Sequence, residues 1–250
     1  MLNDPRQCIF SPFILIGVSL FCIFTSCYKS KLITDDIIAP NWQNSERLNY
    51  GVSLNDTLIR EVQYTIYFDV NADIPVYILE IITNSEEAES FMRDSSVVCF
   101  RRDDFTPIWA WRKVESDLGY TVVATRYTNS RAEIWRETID GTESGQINYN
   151  YPCFDNEMVL TLLRGLRFNA SKKYLFNVVI PFTSEKITNI IRYRGKSTIN
   201  TPSGSFECSK LMLNYRNRVF FVYLENQDPR RLVKFQEKNS NVAMVLLSYD

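Results

Sequence analysis

The chain has 250 residues, a net charge of −1 and no histidine. Its length favours one domain or at most two small ones, and 45% hydrophobic with 23% charged residues is an ordinary globular composition. A near-neutral charge supplies no field to draw in nucleic acid, and the missing histidine removes the commonest general base and metal ligand.

In chain order, Phe13 to Phe24 form an apolar run that suits a signal-peptide core better than a spanning helix, which needs roughly 20 residues. Arg6 gives a weakly positive start. The run ends in Phe24-Thr25-Ser26-Cys27, small residues before a cysteine, and resembles the lipobox of bacterial lipoproteins. That resemblance implies a signal peptide over 1–26, acylation at Cys27 and a membrane anchor. An uncleaved anchor over Cys8 to Ser26, followed by Lys29 and Lys31, and a plain secretory signal are the other readings. All three put the remainder outside the cytoplasm. Residues 27–46 lack sustained periodicity, and Asp35, Asp36, Pro40, Asn41, Asn44 and Ser45 predict a flexible tether. Residues 47–250 read as a single β-rich domain.

Strand patterns then dominate. Val62 to Phe68 is apolar at every second place, and Val76 to Ile82 is apolar on both faces. Tyr120 to Tyr127, Ala132 to Ile139, Leu175 to Ile180, Ile187 to Tyr193, Phe206 to Tyr215, Val219 to Leu224, Leu232 to Phe235 and Val242 to Tyr249 read as further strands. Asp140-Gly141, Thr201-Pro202-Ser203-Gly204 and Asn226-Gln227-Asp228-Pro229 carry turn chemistry. Close spacing with polar turns argues for an antiparallel meander.

Two segments read as helices. Ser85 to Met92 is short and opens like a capping box. Asp155 to Phe168 is the main one: Asp155 can cap, Glu157 favours the positive end, and Val159, Leu162, Leu163 and Leu166 make a stripe. Met158 and Leu160 add apolar surface off that stripe, which asks for cover on more than one side. The predicted fold is therefore mostly β (α+β), a curved antiparallel sheet or incomplete barrel wrapped around one main helix.

Catalytic signatures are missing from the sequence. It has no glycine-rich phosphate loop, no GxSxG and no histidine for a triad, so no catalytic residue, cofactor or metal site is expected. Cys99, Cys153 and Cys208 are widely spaced and read as buried small hydrophobes with at most one bridge. Glu86, Glu87 and Glu89 favour a helix start, and Arg101-Arg102 with Asp103-Asp104 read as a solvated turn. Trp109 and Trp111 share one strand face and suit either a cleft or a packed rim. Arg230, Arg231 and Lys234 read as a solvated strand edge.

Four stretches together resemble a bacterial envelope family known as domain of unknown function 3108. They are Glu46-Arg47-Leu48-Asn49-Tyr50, Phe154 to Met158 running into Leu162-Leu163-Arg164-Gly165-Leu166, Thr201-Pro202-Ser203-Gly204-Ser205-Phe206-Glu207-Cys208, and Phe220 to Leu224 followed by Asp228 to Phe235. The resemblance implies export and a fold distantly like the lipoprotein-sorting carriers, an incomplete barrel around an apolar cavity. It carries no catalytic residues.

The resulting expectation is a non-enzymatic, membrane-tethered protein that binds a lipid or other hydrophobic small molecule, with Trp109, Trp111, Met158 and Leu162 lining the cavity. The alternative is an envelope structural or protein-interaction module with a filled core. Nucleic acid is not an expected partner.

Overall fold

The computed structural model describes residues 30–38, 42, 45–85, 92–150 and 152–250. The leader, Cys27, and the predicted helix over Ser85 to Met92 apart from its two end residues lie outside them. Ser85 and Met92 themselves pair across neighbouring strands.

The first half of the chain is one uninterrupted antiparallel meander. Its strands are β2 (Ser45–Leu54), β3 (Thr57–Asn71), β4 (Ile74–Ser85), β5 (Met92–Arg101), β6 (Pro107–Ser116), β7 (Gly119–Tyr127), β8 (Arg131–Thr138) and β9 (Gly141–Asn148). Period-two patterning sets their register: Tyr50, Val62, Ile66, Leu79, Ile81 and Val98 turn inward and are buried. The second half repeats the device with β11 (Lys173–Ile180), β12 (Glu185–Thr201), β13 (Gly204–Tyr215), β14 (Arg218–Glu225), β15 (Leu232–Glu237) and β16 (Val242–Tyr249). β16 pairs with β2, joining both halves into a 16-stranded sheet. Two short strands, β1 (Ser30–Leu32) and β10 (Cys153–Asp155), add parallel to β11. Every strand segment read from the sequence falls within one of these strands, except that Ile139, read as the end of one, lies in the turn just past β8.

The sheet is open, with β9 at one edge and the short strands β1 and β10, both laid along β11, at the other. Side chains bridge the gap. Arg136 on β8 donates to the carbonyls of Pro181 (3.1 Å) and Phe182 (2.8 Å), and Lys186 on β12 donates to the Asn148 carbonyl at 3.2 Å. The sheet therefore curls back toward its own edge without a ladder closing it.

The expected main helix is corrected. Of the span Asp155 to Phe168, α1 (Val159–Gly165) alone is helical, 7 residues or roughly 10 Å long, too short to serve as an axis for a sheet of this size. Asp155 belongs to β10, and its Oδ1 accepts the Glu157 backbone N–H at 2.8 Å, forming a side-chain turn that delays the helix. Leu166 is already extended, and its neighbour in space is Ile37. The apolar surplus of the segment is real, since all helical residues except Leu160 are buried. What covers them is the packed aromatic and aliphatic interior of the sheet itself.

Part of the stretch read as a tether belongs to the fold: Ser30–Leu32 is β1, Ile33–Asp36 forms a 3-10 turn, and Ile33 and Trp42 are buried. Cys99, Cys153 and Cys208 are buried free thiols. Burial pushes Cys99 up to about 11 and the other two to about 12, which makes all three poor nucleophiles.

Candidate functional site

The strongest concentration of perturbed groups lies where β10 passes beneath β5, β6 and β7. Arg112 sits in an inward register of β6 and grips Asp94 on β5 with two bonds, Nε to Oδ1 at 3.0 Å and Nη2 to Oδ2 at 2.6 Å. Its third arm donates to Glu157 Oε1 at 2.7 Å, and Asn156 Nδ2 donates to the same oxygen at 2.7 Å. The guanidinium also lies 5.2 Å from the Phe182 ring centroid. One planar fork thus ties two carboxylates from distant parts of the chain.

Asp155 is the buried member of the group. Oδ1 accepts the Glu157 N–H, and Oδ2 accepts a hydrogen bond from the Tyr127 hydroxyl. Burial, with the Glu157 charge adding to it, pushes its carboxyl up to about 7, against the lowering effects of the Tyr127 bond and the Arg112 charge. Burial raises Glu157 and Tyr127 as well. The space beside these groups is about 10 Å³, the size of one water molecule. Thr125 lines it with a buried hydroxyl that has no protein partner. Among the described residues, no group of three or more acids and cysteines is placed to hold a metal ion.

Tyr127→Phe is expected to move the Asp155 titration above its present midpoint, because the lost hydrogen bond favours the ionised form, and to cost about 1–3 kcal/mol of stability. A carboxyl-carbon NMR titration checks this. An unmoved midpoint would dismiss the pairing.

A second polar knot is made from the segments that carry the family resemblance. Arg164 on α1 is 2% exposed. It donates to Glu46 Oε2 at 2.6 Å and to the carbonyls of Arg230 and Pro229, each at 3.1 Å. Its guanidinium stacks 4.9 Å over the Trp42 ring. Arg230 returns the contact, donating to the carbonyls of Arg164 (3.0 Å) and Leu166 (2.6 Å), the orphan acceptors at the helix end. Arg231 faces Glu46 at 3.7 Å, donates to Glu225 at 3.0 Å and lies 3.9 Å over the Tyr249 ring. The solvated-edge reading of Arg230 and Arg231 is therefore corrected. They are pulled inward by a buried carboxylate and by buried carbonyls at the helix end that have no intrahelical donor.

The four residues expected to line a cavity are not brought together. Met158 and Leu162 are fully buried in the main core. Trp109 packs on a separate outer cluster with Val76, Ile78 and Cys99. Trp111 borders the narrow space beside Asp155. The roomier spaces lie elsewhere, as open grooves: about 940 Å³ along Glu185, Lys186, Arg216 and Arg218, and about 450 Å³ along Trp135, Arg136, Glu137 and Glu143.

An open antiparallel sheet curled around a packed interior defines a β-barrel-like protein. The sequence matches the family described as "Protein of unknown function (DUF3108)" over residues 49–246. The chain belongs to that family. Among solved structures, it is similar to a beta-barrel-like protein of domain of unknown function DUF1849 from Brucella abortus. That match has 8% identity and a TM-score of 0.54, and covers 83% of this chain and 97% of that one. A "putative lipoprotein" from Parabacteroides distasonis matches at 10% identity and a TM-score of 0.35, over 86% of this chain and 99% of that one. No curated protein matches the sequence.

Proposed function

We propose that this chain is an exported, lipid-anchored and non-catalytic module of the bacterial envelope, whose barrel-like domain acts through its outer surface on other envelope components. The leader ending at Cys27 supports tethering outside the cytoplasm. The observation that carries the rest is the filling of the interior. A lipid or drug-sized ligand asks for an enclosed, mostly apolar space of about 300–1,000 Å³. Beside the inward-facing polar groups there is room for about 10 Å³. The large groove is open to solvent and, although Ile187, Ile190 and Val219 contribute to it, is bordered by Glu185, Lys186, Arg216 and Arg218, a poor host for an acyl chain. Packing thus supports the interaction module over the lipid carrier.

Non-catalysis has the same support. Asp155 has the raised carboxyl expected of a general acid, but both of its oxygens are occupied and no substrate-sized space adjoins it.

The test is native mass spectrometry of the chain purified from bacterial membranes, with crosslinking before lysis. The expected result is a mass explained by the chain with acyl groups at Cys27, together with crosslinks to envelope proteins. A further lipid that survives detergent removal would overturn the filled-interior reading and restore the carrier.

A further inference from the structure

The place where the chain enters the fold fixes which side of the domain meets the anchor. Ser30 pairs with Lys173 at the first residue of β11. Lys172, next to it, reaches Asp36 at 3.4 Å, and Ile37 bridges to Leu166. The entry and Ile38 therefore share one side. Ile38 is 54% exposed and donates its N–H to the Gly165 carbonyl, beside the Phe105 ring that lies against Gly165.

From Phe105 an aromatic chain runs across this side. Phe105 meets Trp42 at 5.8 Å, Trp42 meets Tyr77 at 4.9 Å, and Tyr77 meets Phe68 at 6.4 Å between ring centroids. Phe68 and Val70, near the tip of the β3–β4 hairpin, are 42% and 54% exposed. The Arg102 guanidinium covers Phe68 at 5.6 Å and Tyr77 at 5.9 Å. Ile38, Phe68, Val70 and Arg102 are thus the wet border of one aromatic core. Leu118 and Ile139 are also exposed, at 90% and 64%, but Leu118 follows the far end of β6 from Phe105.

The reach of the chain decides what covers this border. From Cys27 to Ser30 an extended backbone spans at most about 11 Å. An acyl group at Cys27 therefore holds the entry side of the domain against the headgroups, with no long tether between them. Aromatic and aliphatic tips with an arginine head over apolar rings suit that layer. The rings enter the acyl boundary, and the guanidinium meets phosphate.

We propose that Ile38, Phe68, Val70 and Arg102 form a membrane-contact face that seats the domain on the bilayer beside its lipid anchor. This rests on the tethered reading above and adds an orientation to it. The hairpin tips at Leu118 and Ile139 then point away from the membrane, toward partners. Three apolar tips contribute orientation, while the acyl chains hold the protein on the membrane.

The test uses the full acylated chain in vesicles of phosphatidylethanolamine and phosphatidylglycerol whose acyl chains carry bromine, a short-range quencher of indole. Phe68→Trp and Val70→Trp are each compared with Leu118→Trp, and the parent's own emission is subtracted. The added indole at 68 or 70 is expected to be quenched several-fold more than that at 118. Equal, weak quenching at all three positions while the chain floats with the vesicles would overturn the contact face and leave the anchor standing. A chain that does not float with the vesicles would overturn the anchor and the face together.

Discussion

Arg164→Met is expected to destabilise the domain by about 3–5 kcal/mol, the usual cost of leaving a buried charge without its partner. Glu46 would keep its carboxylate in the interior with only the 3.7 Å contact to Arg231. The carbonyls of Pro229 and Arg230 would each lose their Arg164 donor. In a domain of this size the loss corresponds to a melting temperature lowered by roughly 6–20 °C. Arg164→Lys should recover little. A single ammonium cannot reach a carboxylate and two carbonyls in the planar geometry that the guanidinium serves, nor stack on Trp42 in the same way. The double change Arg164→Met with Glu46→Leu should be milder than Arg164→Met alone, because it removes the stranded charge along with its partner. Urea unfolding of the four proteins measures this. The comparison is Arg101→Met, whose ion pair with Asp103 is surface-exposed and is worth less than about 1 kcal/mol. If Arg164→Met costs no more than Arg101→Met, the knot holds nothing together.

The knot also shows where the sequence was legible and where it was not. Alternating apolar residues set nearly every strand, because in a sheet with one packed face the period of two is imposed by burial itself. Such a pattern cannot tell a core that is full from one that is hollow, so Met158 and Leu162 read equally well as cavity lining. The pattern predicts a longer helix than the fold contains, for a local reason. Asp155 does capture a backbone N–H, but two residues on, in a turn after a strand, and capping residues and turn residues share that chemistry. Arg164, Glu46 and Arg231 come from positions 46, 164 and 231, and no spacing rule joins them. Only their membership of three stretches with the same family resemblance hinted that they meet. For the Asp155 group a signal existed. Arg112 lies two places from Ala110 in the inward register of its strand, and a charge in that register requires a buried partner.

The pH dependence of stability should carry the mark of Asp155. In the folded protein its carboxyl titrates at about 7, against an ordinary 3.8. Below about pH 4 the acid is protonated in both states and contributes nothing. As the pH rises from there, the unfolded chain gives up its proton first, while the folded one holds its own until about 7. The unfolded state thus gains, and stability falls across this window and levels off above it. A displacement of this size corresponds to a loss on the order of 4 kcal/mol. Asp103 and Glu133 are held low by arginines and act in the opposite sense, so the raw profile mixes both. The difference between Asp155→Asn and the parent isolates the group. Asparagine can still accept the Glu157 N–H but cannot ionise. The variant should match the parent to within about 1 kcal/mol near pH 4 and become progressively more stable than it toward pH 8, since a hydrogen bond rearranged at Tyr127 is worth less than a buried charge. Chemical unfolding at several pH values reads this directly. A difference that stays flat between pH 4 and pH 8 would mean that Asp155 ionises normally. The Tyr127–Asp155 pair would then be an ordinary hydrogen bond to an already charged carboxylate.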